Sequence, residues 1–500
     1  MKPSINRRGF LGASVATGAL TIVPRHVLGG TGHVAPSNKI TLGHIGIGSQ
    51  CFRELGGLLE NPQIQIVAVC DPNRDSSDYV EWGKNEIRQR IRNFLGDSTW
   101  RENDSGCPGG RDVGRQVVEA YYARERDSEE FRGCTAYADF REMLETEEDL
   151  DAVKILTPDH SHAALAVAAM NKGKHVLMHK PIANRLYEGR RVLETARRTQ
   201  VATHMLAYGS GAGNGRIVRQ VLAGAIGTLR EIHNWTNRPV WPQYTEIPRD
   251  RPPVPEGFEW DLWLGPSVDR PFHPHYTHTV YRGWYEFGGG SMADMGIYSL
   301  WPVFTGLDLG VPVSAQAWAT HTCTIEDNVS RVARNDFAYP TGCTIRLEFA
   351  ARNGQPAVDL FWYDGGMKPR LPREVEEHDV EMQREGILFV GDEGAVMAGF
   401  NGANPQRFAG GRQEPLPLDD GSPDGGREGR ARSWVNAFQG GEPSPGSFLN
   451  AASITDAVNL GTVALRAGRK VIFDSEAMQI TNVPDADQYL HREYREGWEL

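Results

Sequence analysis

The chain has 500 residues, 23% of them charged, and a formal net charge of -11. That length exceeds what one hydrophobic core usually serves, so two domains are expected. The acidic balance argues against a nucleic-acid partner, which would require a basic face, and six cysteines without a C-x-x-C spacing argue against zinc sites or a dense disulfide framework.

In chain order, Arg7 and Arg8 precede Phe10-Leu11 and a modest apolar run that reaches Pro24. The run is too short and too rich in Gly, Ala and Thr to be a stable membrane span. Twin arginines, an apolar stretch and then proline read as a twin-arginine export signal. Residues 1–37 are therefore expected to be signal and linker, and the protein to be periplasmic or otherwise exported.

Lys39 to Cys51, KITLGHIGIGSQC, is a short apolar strand running into Gly46-x-Gly48 and a helix start. Glycines let the backbone approach a dinucleotide pyrophosphate, and the helix N-terminus beginning at Ser49 and Gln50 offers N–H donors. Cys51 stands at the third small position of the motif. A second apolar strand, Ile64 to Cys70, ends on Asp71, roughly twenty residues beyond the glycines, where a carboxylate accepts hydrogen bonds from a ribose 2′-OH. That carboxylate repels a 2′-phosphate and favours NAD over NADP, whereas the nearby Arg74 would suit the phosphate.

From 76 to about 131 the chain is long, charged and broken by Gly-rich turns, with helical patches over Tyr79 to Phe94 and Val113 to Arg124. It reads as an insertion that either caps the cofactor or makes a subunit contact. Cys107 and Cys134 flank its polar part as one candidate disulfide pair. Val153 to Leu156 is then a strand that exits through Thr157-Pro158-Asp159-His160 into an Ala-rich helix, and the next strand, His175 onward, ends in Lys180-Pro181. Strand exits of this kind form the ligand edge of an open α/β sheet. His160 and His162 are candidates for contact with nicotinamide or substrate, with capping or packing as the alternative. They are not spaced with carboxylates as a metal site would be, and no metal is assigned.

The second domain starts near Thr203. A helix, a Gly turn and a strand precede a Pro-rich surface excursion over Pro239 to Pro255, and Phe272 to Trp301 forms a second chemical centre. There Gly288-Gly289-Gly290 breaks the chain and Ser291 can cap a helix bearing Asp294 and Tyr298. Four residues apart, those two side chains are expected on one helix face. A phenol with a pKa near ~10 is a poor base at neutral pH, so a neighbouring Lys180 ammonium is expected to lower it and pair with it. The alternative is that Asp294 caps and Tyr298 packs. His273, His275, Tyr276, Arg282 and Trp284 are candidate walls of a sugar pocket. Val313 to Thr324, Val329 to Ala338, Gly342 to Ala350 and Val358 to Trp362 alternate as strands, Ile387 to Ala398 reads as a hairpin, and Ser433 to Gln439 and Ala451 to Ala467 read as helices.

The strand with Gly46-x-Gly48, the Thr157-Pro158-Asp159-His160-x-His162 stretch and Lys180-Pro181 resemble the Gfo/Idh/MocA family, named for glucose-fructose oxidoreductase and inositol dehydrogenase. The resemblance runs from Lys39 to Leu500. It implies an α/β chain with an N-terminal Rossmann dinucleotide-binding domain (38–202) and a C-terminal α/β domain (203–500) built on a large open, mainly antiparallel sheet. It also implies an active site between the domains, a cis Lys180-Pro181 bond, and dimers or tetramers through the open sheet face. The family's Glu-Lys-Pro is His179-Lys180-Pro181 here, and its Asp-x-Gly-x-His is Asp294-Met295-Gly296-Ile297-Tyr298, a tyrosine variant that also resembles the glucose-fructose oxidoreductase branch.

NAD or NADP is then expected along Gly46, Gly48, Ser49, Gln50, Cys51, Asp71, Thr157, Pro158, His160, His162 and Lys180, with Lys180, Asp294 and Tyr298 catalytic. The implied function is an exported oxidoreductase that takes hydride from a hydroxyl-bearing carbon of a sugar or cyclitol. Two alternatives stand beside it: an NAD-dependent glycoside hydrolase working by transient oxidation and elimination, and a sugar-binding protein without catalysis.

Overall fold

A computed structural model describes residues 38–126, 128, 130–333, 335–419 and 426–500. The twin-arginine segment lies outside the described residues.

Strands β1 (Ile40–Ile45) and β2 (Ile64–Cys70) are followed by a short ribbon, β3 (Ser76–Tyr79) with β4 (Cys107–Gly109), and then by β5 (Thr135–Tyr137), β6 (Ala152–Ile155), β7 (His175–Met178) and β8 (Thr203–Met205). The first sheet runs β5-β2-β1-β6-β7-β8 and is parallel throughout, the order of a Rossmann sheet. Its strands read as nearly continuous apolar runs because both faces are covered. Six helices alternate with them: α1 (Ser49–Leu59), α2 (Glu86–Leu95), α3 (Arg111–Glu125), α4 (Phe140–Thr146), α5 (His162–Asn171) and α6 (Leu186–Thr199).

After α7 (Ala212–Leu222) and β9 (Leu229–Trp235), a one-turn π-helix over Met292–Gly296 runs into α8 (Ile297–Leu307). The strands that follow are β10 (Ser314–Ala319), β11 (Cys323–Glu326), β12 (Val329–Val332), β13 (Cys343–Phe349), β14 (Val358–Tyr363), β15 (Gly386–Gly391), β16 (Ala395–Gly399), β17 (Gln406–Ala409) and β18 (Arg412–Pro415). Helices α9 (Gly426–Phe438) and α10 (Ala452–Ala467) come next, then β19 (Val471–Asp474) and β20 (Gln479–Ile480). The second sheet runs β18-β17-β16-β15-β9-β14-β13-β10-β19-β20, antiparallel except where β9 pairs with β14. Residues of β13 and β14 alternate between buried and half-buried, which marks a sheet with one covered face. Helix α10 covers it closely: a Cβ on Gly461 would come within 3.2 Å of Ile345. Trp318 and Ile472, on β10 and β19, remain 49% and 44% exposed.

Local expectations were corrected where tertiary pairing overrides pattern. The helix expected from Tyr79 starts only at Glu86, because Ser76–Tyr79 pairs with Cys107–Gly109. The strand expected to continue to Thr324 ends at Ala319, and the one expected to reach Ala338 ends at Val332, since β11 and β12 pair only with each other as an exposed hairpin. Cys107 and Cys134 are free buried thiols, each pushed up to about 12 by burial. No helix among the described residues is long and apolar enough to cross a membrane.

Candidate active site

Ile45, Gly46, Gly48, Ser49 and Gln50 open one end of a cleft of about 1140 Å³ that reaches past Asp71 and Tyr79 to Thr157, Pro158, His179 and Lys180. Gly46 has φ +92°, and a Cβ there would strike the Leu156 carbonyl oxygen at 2.4 Å, so only glycine brings β1 this close to β6. Helix α1 starts at Ser49, and no side chain caps its first turn. Asp71 accepts hydrogen bonds from the N–H of Ile47 at 2.6 Å and of Asn73 at 2.8 Å. Its carboxylate thus holds the glycine turn as well as lining the cleft. Arg74 faces away and pairs with Glu256 at 3.2 Å. A glycine cradle, a helix start and a carboxylate at the end of β2 fit NAD.

Aromatic side chains that the sequence reading did not single out close this cleft. Tyr79, on the inserted ribbon, lies across the glycine turn, its ring 3.1 Å from where a Gly48 Cβ would stand, and packs at a tilt on His278 of the second domain with ring centroids 4.1 Å apart. The insertion therefore caps the cleft. At the other end Phe140, Trp263 and Trp498 supply an aromatic wall, with Leu262 beside them.

Lys180 follows β7, is joined to Pro181 by a cis bond and is 3% exposed. Its Nζ donates to Asp294 Oδ1 at 2.6 Å, and Arg282 Nε donates to the same oxygen at 3.2 Å. Burial alone would raise the Asp294 carboxyl, but Lys180 and Arg282 outweigh it and hold it well below the usual carboxylate range. Burial lowers the Lys180 pKa, and Asp294 opposes that shift. Two cations share one carboxylate, so the cluster suits an oxygen on which negative charge develops.

Tyr298 departs from expectation. Its hydroxyl meets His179 Nε2 at 3.1 Å and faces a second cavity, of about 1070 Å³, beyond His179. The Lys180 ammonium lies 4.9 Å from the centre of the tyrosine ring, not at the hydroxyl. Burial, aided by Asp294 and Glu54, pushes the phenol well above its ordinary value. The π-turn explains the divergence from Asp294: hydrogen bonds spanning five residues widen the turn, so positions four apart no longer stack as in an α-helix.

Other candidates are placed elsewhere. Cys51 is fully buried, its Sγ 3.6 Å from His44 Nε2, and serves as the small residue under the turn rather than as a cleft wall. His160 bonds the Trp263 carbonyl at 2.9 Å, and His162 bridges the carbonyls of Pro181 at 2.5 Å and Thr157 at 2.9 Å. His162 fastens the two strand exits together, His160 ties the first of them to Trp263 of the second domain, and neither lines the cleft wall. His273, Tyr276 and Trp284 pack in an aromatic cluster, and His275 stacks on Tyr244, because so many rings close in sequence bury one another. Of that group only Arg282 lines the cleft, together with Tyr281, His278 and Thr279, which sequence reasoning missed.

A Rossmann sheet with a glycine cradle, and a second domain that supplies the partner of its buried lysine, define a dinucleotide-binding oxidoreductase fold. Residues 100–207 match the NAD-binding Rossmann-fold domain of the Gfo/Idh/MocA oxidoreductases, and residues 223–365 match the C-terminal alpha/beta domain, so the chain carries both domains of that family. It is 32% identical over 71 residues to a levoglucosan dehydrogenase of Pseudarthrobacter phenanthrenivorans, covering 14% of this chain and 18% of that protein. It is 25% identical over 244 residues to a glycosyl hydrolase family 109 protein of Shewanella sp. strain MR-4, covering 45% of this chain and 44% of that protein. The chain thus aligns with less than half the length of these relatives. The WlbA dehydrogenase of Chromobacterium violaceum, solved with NADH and UDP-GlcNAcA, has the same fold at 16% identity, with a TM-score of 0.51 over 88% of this chain and 97% of that one.

Proposed function

We propose that this protein is an exported, NAD-dependent oxidoreductase acting on a hydroxyl of a sugar, a sugar derivative or a cyclitol. One observation carries the reading: the buried Lys180–Asp294 pair at 2.6 Å, braced by Arg282, stands where the NAD cleft meets the second domain. When bound, the dinucleotide accepts hydride. Lys180 and Arg282 hold the substrate oxygen and stabilise charge developing on it, Asp294 fixes both cations, and Lys180, its pKa lowered by burial, carries the hydroxyl proton away. The likeness to a levoglucosan dehydrogenase supports a carbohydrate substrate. Export rests on Arg7-Arg8 and the run behind them, and a homo-oligomer through the second sheet rests on the exposed Trp318 and Ile472. The test is absorbance of reduced dinucleotide during incubation with NAD and a panel of aldoses, anhydrosugars and inositols. No reduction with any of them, by protein shown to bind NAD, overturns the reading.

A second reading is glycoside cleavage through transient oxidation, with hydride returned to the product. The family 109 match supports it, as does a cleft closed by Tyr79 and Trp498, which suits a cofactor that stays bound. Cleavage of aryl glycosides without net reduced dinucleotide distinguishes it.

A further inference from the structure

A third cation stands beside Asp294, on the side away from Lys180. Arg238 lies three residues past the end of β9, and its Nε is 3.9 Å from Asp294 Oδ2, the oxygen that neither Lys180 nor Arg282 engages. That Nε–H is buried and reaches no hydrogen-bond acceptor. Among the described residues no other carboxylate pairs with this guanidinium. The guanidinium carbon lies 5.8 Å from the centre of the Trp82 ring, on the inserted segment, and Arg53 of α1 stands 5.9 Å from the same ring. Side-chain exposure rises along the row, from 2% at Lys180 through 14% at Asp294 to 27% at Arg238, and Trp82 is 53% exposed. The oxidised carbon belongs at the buried end, and Arg238 with Trp82 marks the open one.

The charges along this row do not balance. Lys180, Arg282 and Arg238 supply three positive charges. Asp294 answers one, and Asp159, which accepts from Tyr281 and Gly289, answers a second. His179 is neutral, because burial pushes its pKa down to about 3. Glu54 is matched by Lys154 at 2.6 Å and Arg53 by Glu86 at 2.9 Å. One positive charge is left over, and partial burial limits how far salt can screen it.

We propose that the substrate is an anionic sugar bearing a carboxylate, which Arg238 receives while the hydroxyl to be oxidised lies at Lys180. The proposal rests on the oxidoreductase reading above and names the substrate class within it. A guanidinium presents paired N–H donors that match a planar carboxylate. A monoanion cancels the surplus charge, whereas a phosphate dianion overshoots it and is repelled by Asp294. Lys180 and Arg238 flank opposite oxygens of one carboxylate, so a single sugar ring can reach both. Trp82 packs over the guanidinium and holds it at the mouth, which gives the inserted segment a part in substrate choice.

The experiment measures NAD-dependent oxidation of matched substrates: glucose against glucuronate, galactose against galacturonate, and glucose 6-phosphate as the dianion. For native protein, kcat/KM of at least one uronate is expected to exceed that of its neutral partner by about 10- to 100-fold, the worth of a hydrogen-bonded ion pair. Raising the salt from about 0.05 M to about 0.5 M should shrink this ratio. In Arg238→Gln the ratio should fall to within about threefold of one, mainly through a raised KM for the acid. Arg238→Lys, which keeps the charge but not the fork, should retain part of it. A ratio taken within one variant is insensitive to a general loss of folded or active protein. Binding of the uronates to NAD-loaded protein is followed in parallel by calorimetry. Equal kcat/KM for acids and neutral partners overturns the proposal and leaves the oxidoreductase reading intact. An Arg238→Gln enzyme that keeps the native ratio overturns it too, as does a preference for glucose 6-phosphate over both uronates. Where no sugar is oxidised, the oxidoreductase reading fails and calorimetry decides the site: uronate binding that is lost in Arg238→Gln upholds it, and absence of binding overturns it.

Discussion

Asp159, at the exit of β6, accepts a hydrogen bond from the Tyr281 hydroxyl at 3.0 Å while its second oxygen accepts one from Gly289 N–H at 2.9 Å. One carboxylate of the first domain thereby holds both the turn that carries Arg282 and the glycine break ahead of Asp294. Lys180 and Asp294 come from different domains and meet at 2.6 Å, so their alignment depends on this joint.

Asp159→Ala should accordingly do two things at once. A buried hydroxyl and a buried N–H lose their acceptor, at a cost of about 2–4 kcal/mol in chemical denaturation. Turnover should fall as well, because the second domain is no longer registered on Lys180. Asp159→Asn keeps one acceptor oxygen and should lose less of both. Equal stability of Asp159→Ala and native protein would show that the joint is dispensable.

Lys180→Met removes the ammonium but keeps the length of the side chain. It should cut turnover about 100- to 10,000-fold, while dinucleotide binding, which depends on the glycine turn and Asp71, should persist in a fluorescence titration. Turnover near the native value would refute the assignment of Lys180.

Much of this was legible in the chain. Gly46-x-Gly48 announces itself because close backbone approach demands glycine at a fixed spacing. Lys180-Pro181 and Asp294 were readable through the family resemblance. The rest depends on contacts between distant segments. Tyr79 sits in what reads as a helix until β4 pairs with its strand, and Trp498 reaches the cleft from more than 350 residues beyond Phe140, with which it shares that wall. His273, His275, Tyr276 and Trp284 looked like sugar ligands because aromatic and polar groups alternate there, yet that composition equally builds a packed aromatic cluster. Asp159 was part of a quoted motif, but nothing in its local sequence says that its partners lie more than 120 residues away.

Asp364 gives a pH prediction with a definite sign. The carboxylate accepts from Cys343 N–H at 2.6 Å and Trp362 Nε1–H at 3.2 Å, yet burial dominates and raises its pKa to about 6. The folded state therefore binds a proton that the unfolded state releases at lower pH. Stability from this group is complete below about pH 4 and is lost as the pH rises through 6, amounting to about 2–3 kcal/mol. Asp364→Asn carries no charge, so its stability relative to native protein should improve between pH 4 and pH 7 in paired denaturation curves. A difference that does not change with pH would show that Asp364 is ionised throughout.

Trp498 offers a separate test of cofactor retention. Its ring is 7% exposed, lies 5.8 Å from Phe140 and carries the Arg141 guanidinium 4.2 Å above it, so it is fixed in place before any ligand arrives. A preorganised aromatic wall contributes affinity because little side-chain freedom remains to be lost on binding. Trp498→Ala should weaken dinucleotide binding by about tenfold, equivalent to about 1.4 kcal/mol, and should reduce the rise in melting temperature produced by added NAD. The turnover number at saturating NAD should stay near native, since Lys180, Asp294 and Tyr298 are untouched. If binding is unchanged while the protein melts earlier without ligand, Trp498 belongs to the fold of the first domain and not to the cofactor, and retention must then come from Tyr79 and the inserted ribbon at the opposite end of the cleft.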